Sequence, residues 1–116
     1  MFGLFKKRQV DQRKVEAFCD WFISMNEEII RSVENSNNDH ARMMHLLDEV
    51  ENQLAVVYRD GYKGDIQFEY GFASAIDKWE LNLFHLNNKF LIEATNAIAT
   101  ILNAKLSDTW LVNTDK

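Results

Sequence analysis

Residues 66–92, IQFEYGFASAIDKWELNLFHLNNKFLI, decide the fold. Ile66, Phe68, Tyr70 and Phe72 alternate with Gln67, Glu69 and Gly71, the period-two pattern of a strand with one buried and one wet face. After a connection over residues 73–78 the pattern returns: Trp79, Leu81 and Leu83 alternate with Glu80 and Asn82 in a second strand over residues 79–86. Its register blurs at Leu83-Phe84, as expected if a bulge intervenes or if Phe84 and Leu86 turn to the outer face. Antiparallel pairing of the two strands puts Glu69 and Glu80 on one polar face. Asn87-Asn88 then caps a helix over residues 89–105. Phe90, Ala94, Ala97, Ile101 and Ala104 form its stripe, with Leu91, Ile98 and Leu102 beside it, a face rich enough in small residues to lie close on the sheet. TWLVN, residues 109–113, reads as a closing strand. The strand–helix–strand unit is a crossover, right-handed if its strands run parallel.

Upstream the period changes to that of helices. Val15, Phe18, Phe22, Met25, Ile29 and Val33 mark one face of a helix over residues 9–35, and Glu27 and Arg31 are spaced as a favourable i,i+4 pair. Trp21 and Ile30 widen that face, which suits a helix held between the sheet and a second helix, or one that meets another subunit. Asn35-Ser36-Asn37-Asn38 is a loop, with Asn38 or Asp39 as the next cap. A second helix over residues 40–58 carries Met43, Leu47, Val50, Leu54 and Val57, so an antiparallel helical hairpin is expected. Gly61 and Gly64 punctuate the boundary before the sheet. The fold class is therefore α+β, in the order α-α-β-β-α-β, with the helices packed on a small three-stranded sheet.

The composition agrees. The chain has 116 residues, 47% of them hydrophobic, and eight Phe, three Trp and three Tyr, enough apolar material for one domain with a real core. The lack of proline and only four glycines argue against a sandwich of many short strands. A single cysteine, Cys19, excludes an internal disulfide, and no apolar run approaches the ~18–20 residues of a membrane span. No secretory signal is recognisable, so the expected compartment is the cytoplasm. Residues 1–9, MFGLFKKRQ, read as a frayed terminus or the first turn of the next helix, with a weak membrane-surface contact through residues 1–8 as the alternative.

The net charge of −5 conceals an asymmetry. Residues 1–14 hold five basic residues against Asp11 alone, and the rest of the chain holds eight against 17 acidic ones. An acidic body disfavours nucleic acid, whose affinity rests on cationic neutralisation of phosphate, and favours a basic protein partner.

No catalytic pattern emerges. His40 and His45 are ~140° apart around a helix and share no face. His85 lies far off in a strand, and no metal-binding motif, phosphate loop or nucleophile elbow occurs. Cys19 sits on the apolar side of the first helix, where cysteine behaves as a small hydrophobe. No metal, cofactor or enzyme activity is expected. Of the tryptophans, Trp79 and Trp110 suit the core, whereas Trp21 is a candidate interface anchor.

The aromatic first helix (Phe18-Cys19-Asp20-Trp21-Phe22), the hairpin, the third helix and the closing Trp strand (Thr109-Trp110-Leu111-Val112) resemble small uncharacterised bacterial domains over residues 15–113. That resemblance implies no activity. The small acidic form is also similar in type to immunity proteins of bacterial toxin systems, and less so to acidic secretion chaperones, which usually carry more strands and a terminal helix. The function expected is a non-enzymatic protein-binding domain that holds a basic partner, most concretely a toxin domain, through Glu49, Glu51, Asp60, Asp65, Glu69 and Glu80. The alternatives are a self-associating adaptor, a homodimer built on helix one around Trp21, or a small-molecule pocket between the sheet and the helical hairpin.

Overall fold

The structure, a computed structural model, describes residues 9–115, so the reading of residues 1–8 as a membrane contact lies outside the described residues. The elements are α1 (Gln12–Glu34), α2 (His40–Tyr58), β1 (Phe68–Ala73), β2 (Lys78–Leu83), α3 (Lys89–Lys105) and β3 (Trp110–Asn113). Each helix starts on a short polar side chain that accepts from a free backbone N–H: Asp11 from Arg13, Asp39 from Arg42 and Asn88 from Leu91, all within 3.0 Å. At the end of α2 the chain turns at Gly61, where the Phe90 ring lies 2.2 Å from the position a Cβ would occupy. Glycine is needed there for the close approach.

The sheet has the order β1-β2-β3, with β1 and β2 antiparallel and β2 and β3 parallel. Trp79, Leu81, Leu83, Trp110 and Val112 point to the helical side and are buried. Phe22 of α1 meets the Trp110 ring edge-on at 5.0 Å, and the Trp110 indole N–H donates to the Asn26 side chain at 3.2 Å. Cys19 faces the Ile98 carbonyl of α3 at 3.8 Å. Helix α1 therefore lies against both α2 and α3 and reaches the sheet at its far strand.

Four details differ from the sequence reading. Strand β2 ends at Leu83 rather than at residue 86, because Leu86 and Asn87 adopt left-handed φ values of 55° and 58° and swing the chain into α3. The inward face of α2 is set by Leu46, with Leu47 at its margin. In α3 it is set by Leu91, Thr95, Ile98 and Leu102 together with the expected Ala94, while Ala104 faces solvent. On α1, Arg31 pairs with Glu28 instead of Glu27, and Glu28 also receives Arg42 from α2.

The outer edge of β3 is closed by a side chain. Trp79 N–H donates to the Thr109 carbonyl, so in this parallel ladder Trp110 and Val112 turn their backbone groups away from β2. Trp110 N–H donates to the Leu106 carbonyl at 2.8 Å. The Asn103 carboxamide accepts from Val112 N–H at 2.8 Å and donates to the Val112 carbonyl at 3.0 Å, as a neighbouring strand would. Asn103→Ala leaves both groups unpaired and is expected to lower stability by about 1–3 kcal/mol in urea unfolding. An unchanged midpoint would show that water serves that edge equally well.

Candidate functional site

The helices cover one face of the sheet, and the other carries the polar row. Glu69 from β1, Glu80 and Asn82 from β2 and Asn113 from β3 share this outer face by strand alternation. The register makes Glu69 face Asn82, Glu80 face Gly71, and Asn82 face Asn113. The two carboxylates are therefore diagonal neighbours rather than direct opposites, which keeps like charges apart.

Amides knit the row together. The Asn82 side-chain N–H donates to Glu69 at 3.2 Å, and that of Asn113 donates to Glu80 at 3.1 Å and to the Asn82 oxygen at 2.8 Å. The result is a chain of hydrogen bonds crossing all three strands. These residues, with Leu83, Phe84 and Asp115, line a concavity of about 340 Å³. A second hollow of about 180 Å³ shares Glu69, Glu80 and Asn82 and extends over Gly71, where an added Cβ would meet nothing within 4 Å. The groove is thus walled by three carboxylates and two amides, with an open floor at Gly71.

Only two of the expected partner-binding acids meet here, Glu69 and Glu80. Asp60, beyond α2, receives the Lys14 ammonium on both oxygens at 2.9 Å and ties the start of α1 to the end of α2. Glu49 lies on α2 with His45 at 3.7 Å, Glu51 is exposed on the same helix, and Asp65 is exposed in the loop before β1. Trp21 is half-buried with its ring 6.1 Å from that of Phe18. Asn113 and Asp115 were not singled out by the sequence, since only the β2–β3 register brings Asn113 beside Asn82.

Elsewhere, Glu28, Arg31, Ser32, Asn35 and Arg42 line a hollow of about 470 Å³ near the α1–α2 turn. Its ions already serve one another: hydrogen bonds from Arg31 and then Arg42 pull the Glu28 carboxyl below its ordinary range. Between sheet and helices, where a small-molecule pocket was an alternative, Phe22, Trp79 and Trp110 pack ring against ring. Burial, with Asp20 nearby, pushes the Cys19 thiol up to about 12, far from the reach of a thiolate nucleophile at neutral pH. Among the described residues no three His, Cys, Asp or Glu side chains gather to hold a metal ion, and no helix is long and apolar enough to cross a membrane.

Comparison of the chain with protein-family models, with curated proteins and with solved structures finds no match.

Proposed function

We propose that the chain is a non-catalytic protein-binding domain that receives a basic partner on the outer face of its sheet. Its most concrete form is a bacterial immunity protein acting in the cytoplasm against a basic toxin domain. The observation that carries this reading is the amide-tied row of Glu69, Asn82, Glu80 and Asn113 on a sheet face that no helix among the described residues covers. Carboxylates already held by neighbouring amides lose little freedom when a lysine or arginine arrives, so the ordering penalty of binding is reduced. The excess of acidic residues beyond residue 14 would speed the encounter with a cationic surface. Glu49, Glu51 and Asp65 belong to that field rather than to the groove.

The test is titration against the basic proteins encoded beside this gene, by calorimetry at several salt concentrations. Binding that weakens as salt rises is expected, and the Glu69→Gln/Glu80→Gln double variant should lose roughly tenfold or more in affinity, chiefly through slower association. No binding at low salt, or equal binding by the double variant, ends this reading.

A further inference from the structure

The two edges of the sheet are treated differently. Asn103 and the Leu106 carbonyl occupy three of the four outward backbone groups of Trp110 and Val112 on β3, all but the Trp110 carbonyl. Strand β1 has no such guard. Phe84 N–H donates to the Gln67 carbonyl at 3.2 Å, which makes Gln67–Phe84 a bonded pair of the antiparallel ladder. Bonded and unbonded pairs alternate, so Glu69, Gly71 and Ala73 turn their backbone groups to β2, and Phe68, Tyr70 and Phe72 turn theirs outward. Among the described residues nothing pairs with those outward N–H and carbonyl groups. The edge also carries no proline, lysine or bulge, and its one charged side chain, Glu69, lies on the outer face of the sheet.

The side chains of the same three residues are incompletely covered. Phe68 and Tyr70 are half-buried, Phe72 is 52% exposed, and the buried Tyr70 hydroxyl has no partner among the described residues.

We infer that β1 is a self-pairing edge: two copies of the chain join antiparallel about a two-fold axis at Tyr70 and form one continuous six-stranded sheet. The sequence of the strand selects this occupant. With Tyr70 opposite Tyr70 of the second copy, Phe68 falls opposite Phe72, and the bonded pairs are those whose backbone groups point outward. Every outward N–H of the three residues then finds a carbonyl. On the outer face each Glu69 falls opposite a Gly71, where there is open space and no charge. No like charges face each other across the axis, and the aromatic rows of the two copies run together on the inner face. An edge of three residues is short, so the dimer is reversible. This inference is independent of the basic partner, and the two respond oppositely to salt. Salt screens the mutual repulsion of two chains of net charge −5 and so tightens the dimer, whereas it loosens binding of a cation.

Sedimentation over a range of concentrations, with backbone amide exchange, tests it. The expected result is a monomer–dimer equilibrium in which the amides of Phe68, Tyr70 and Phe72 gain protection as concentration rises. In a Glu80→Gln background, which removes the like charge that faces Gly71 from β2 of the same chain, Gly71→Glu puts a carboxylate opposite Glu69 of the other copy, twice by symmetry, at a position with room for a side chain. Dimerisation should weaken by roughly tenfold, and adding Glu69→Lys should restore it. Circular dichroism verifies that the variants remain folded. A monomer at every concentration, or a dimer that protects other amides and ignores both charge changes, overturns the inference.

Discussion

Trp110→Ala is expected to lower the unfolding free energy by about 3–5 kcal/mol, against a total of ~5–15 kcal/mol for a domain of this kind. The side chain is 1% exposed, packs on Phe22 and Trp79, and holds the Asn26 carboxamide through its indole N–H. Truncation removes the ring contacts that bind β3 to α1 and strands a polar group beside the cavity. Trp110→Phe helps separate the two effects: it keeps much of the ring packing and loses the hydrogen bond and part of the indole, for about 1–3 kcal/mol. Guanidinium unfolding of the two variants gives the comparison. If alanine proved no worse than phenylalanine, the ring contacts would contribute nothing and this picture of the core would be wrong.

The second large effect is at high pH. The Tyr58 hydroxyl is buried with no hydrogen-bond partner among the described residues, and burial raises its pKa well above the ordinary 10. Burial pushes Tyr70 up as well, to about 12. A phenol whose pKa is higher folded than unfolded contributes its full stability below the unfolded value, and that contribution drains away as pH rises through the folded one. From pH 10 upward Tyr58 alone therefore lowers stability by about 1.4 kcal/mol per pH unit. Tyr70 acts in the same direction up to about pH 12, damped by its partial exposure to solvent. Cooperative alkaline unfolding is expected in this window, visible as tyrosinate absorbance appearing together with loss of helical ellipticity. Tyr58→Phe removes a buried hydroxyl that has no partner among the described residues, so it should add about 1 kcal/mol at neutral pH. It should also shift the alkaline transition upward. Destabilisation by that substitution would mean the hydroxyl has a partner after all.

The order and type of all six elements were legible in the sequence, and the reasons are local. Residues 66–72 and 79–83 alternate so regularly that only strands satisfy them, and Asp39 and Asn88 stand where helix caps belong. What was not legible depends on neighbours distant in sequence. Helix α3 is apolar around most of its circumference, so Phe90, Ala97 and Ile101 compete with Leu91, Ile98 and Leu102, and packing against α1 and β3 settles the rotation. The end of β2 was hidden for a different reason. Leu86 occupies a left-handed conformation that side chains other than Gly and Asn adopt reluctantly, and nothing in its identity announces that. The candidate face was half visible: alternation puts Glu69, Glu80 and Asn82 on one side. Asn113 joins them only through the parallel register of β2 and β3, which pairs residues 31 positions apart in sequence.

The isolation of Cys19 makes the protein convenient to label. Its thiol is fully buried and stays protonated at neutral pH, so maleimides should leave it untouched in the native state. A cysteine introduced at Gly71, where a side chain meets open space, would then be the single addressable thiol, with no need to remove the natural one. A fluorophore or spin label placed there would sit on the floor of the acidic groove and beside the β1 edge. One derivative would thus report on both surfaces.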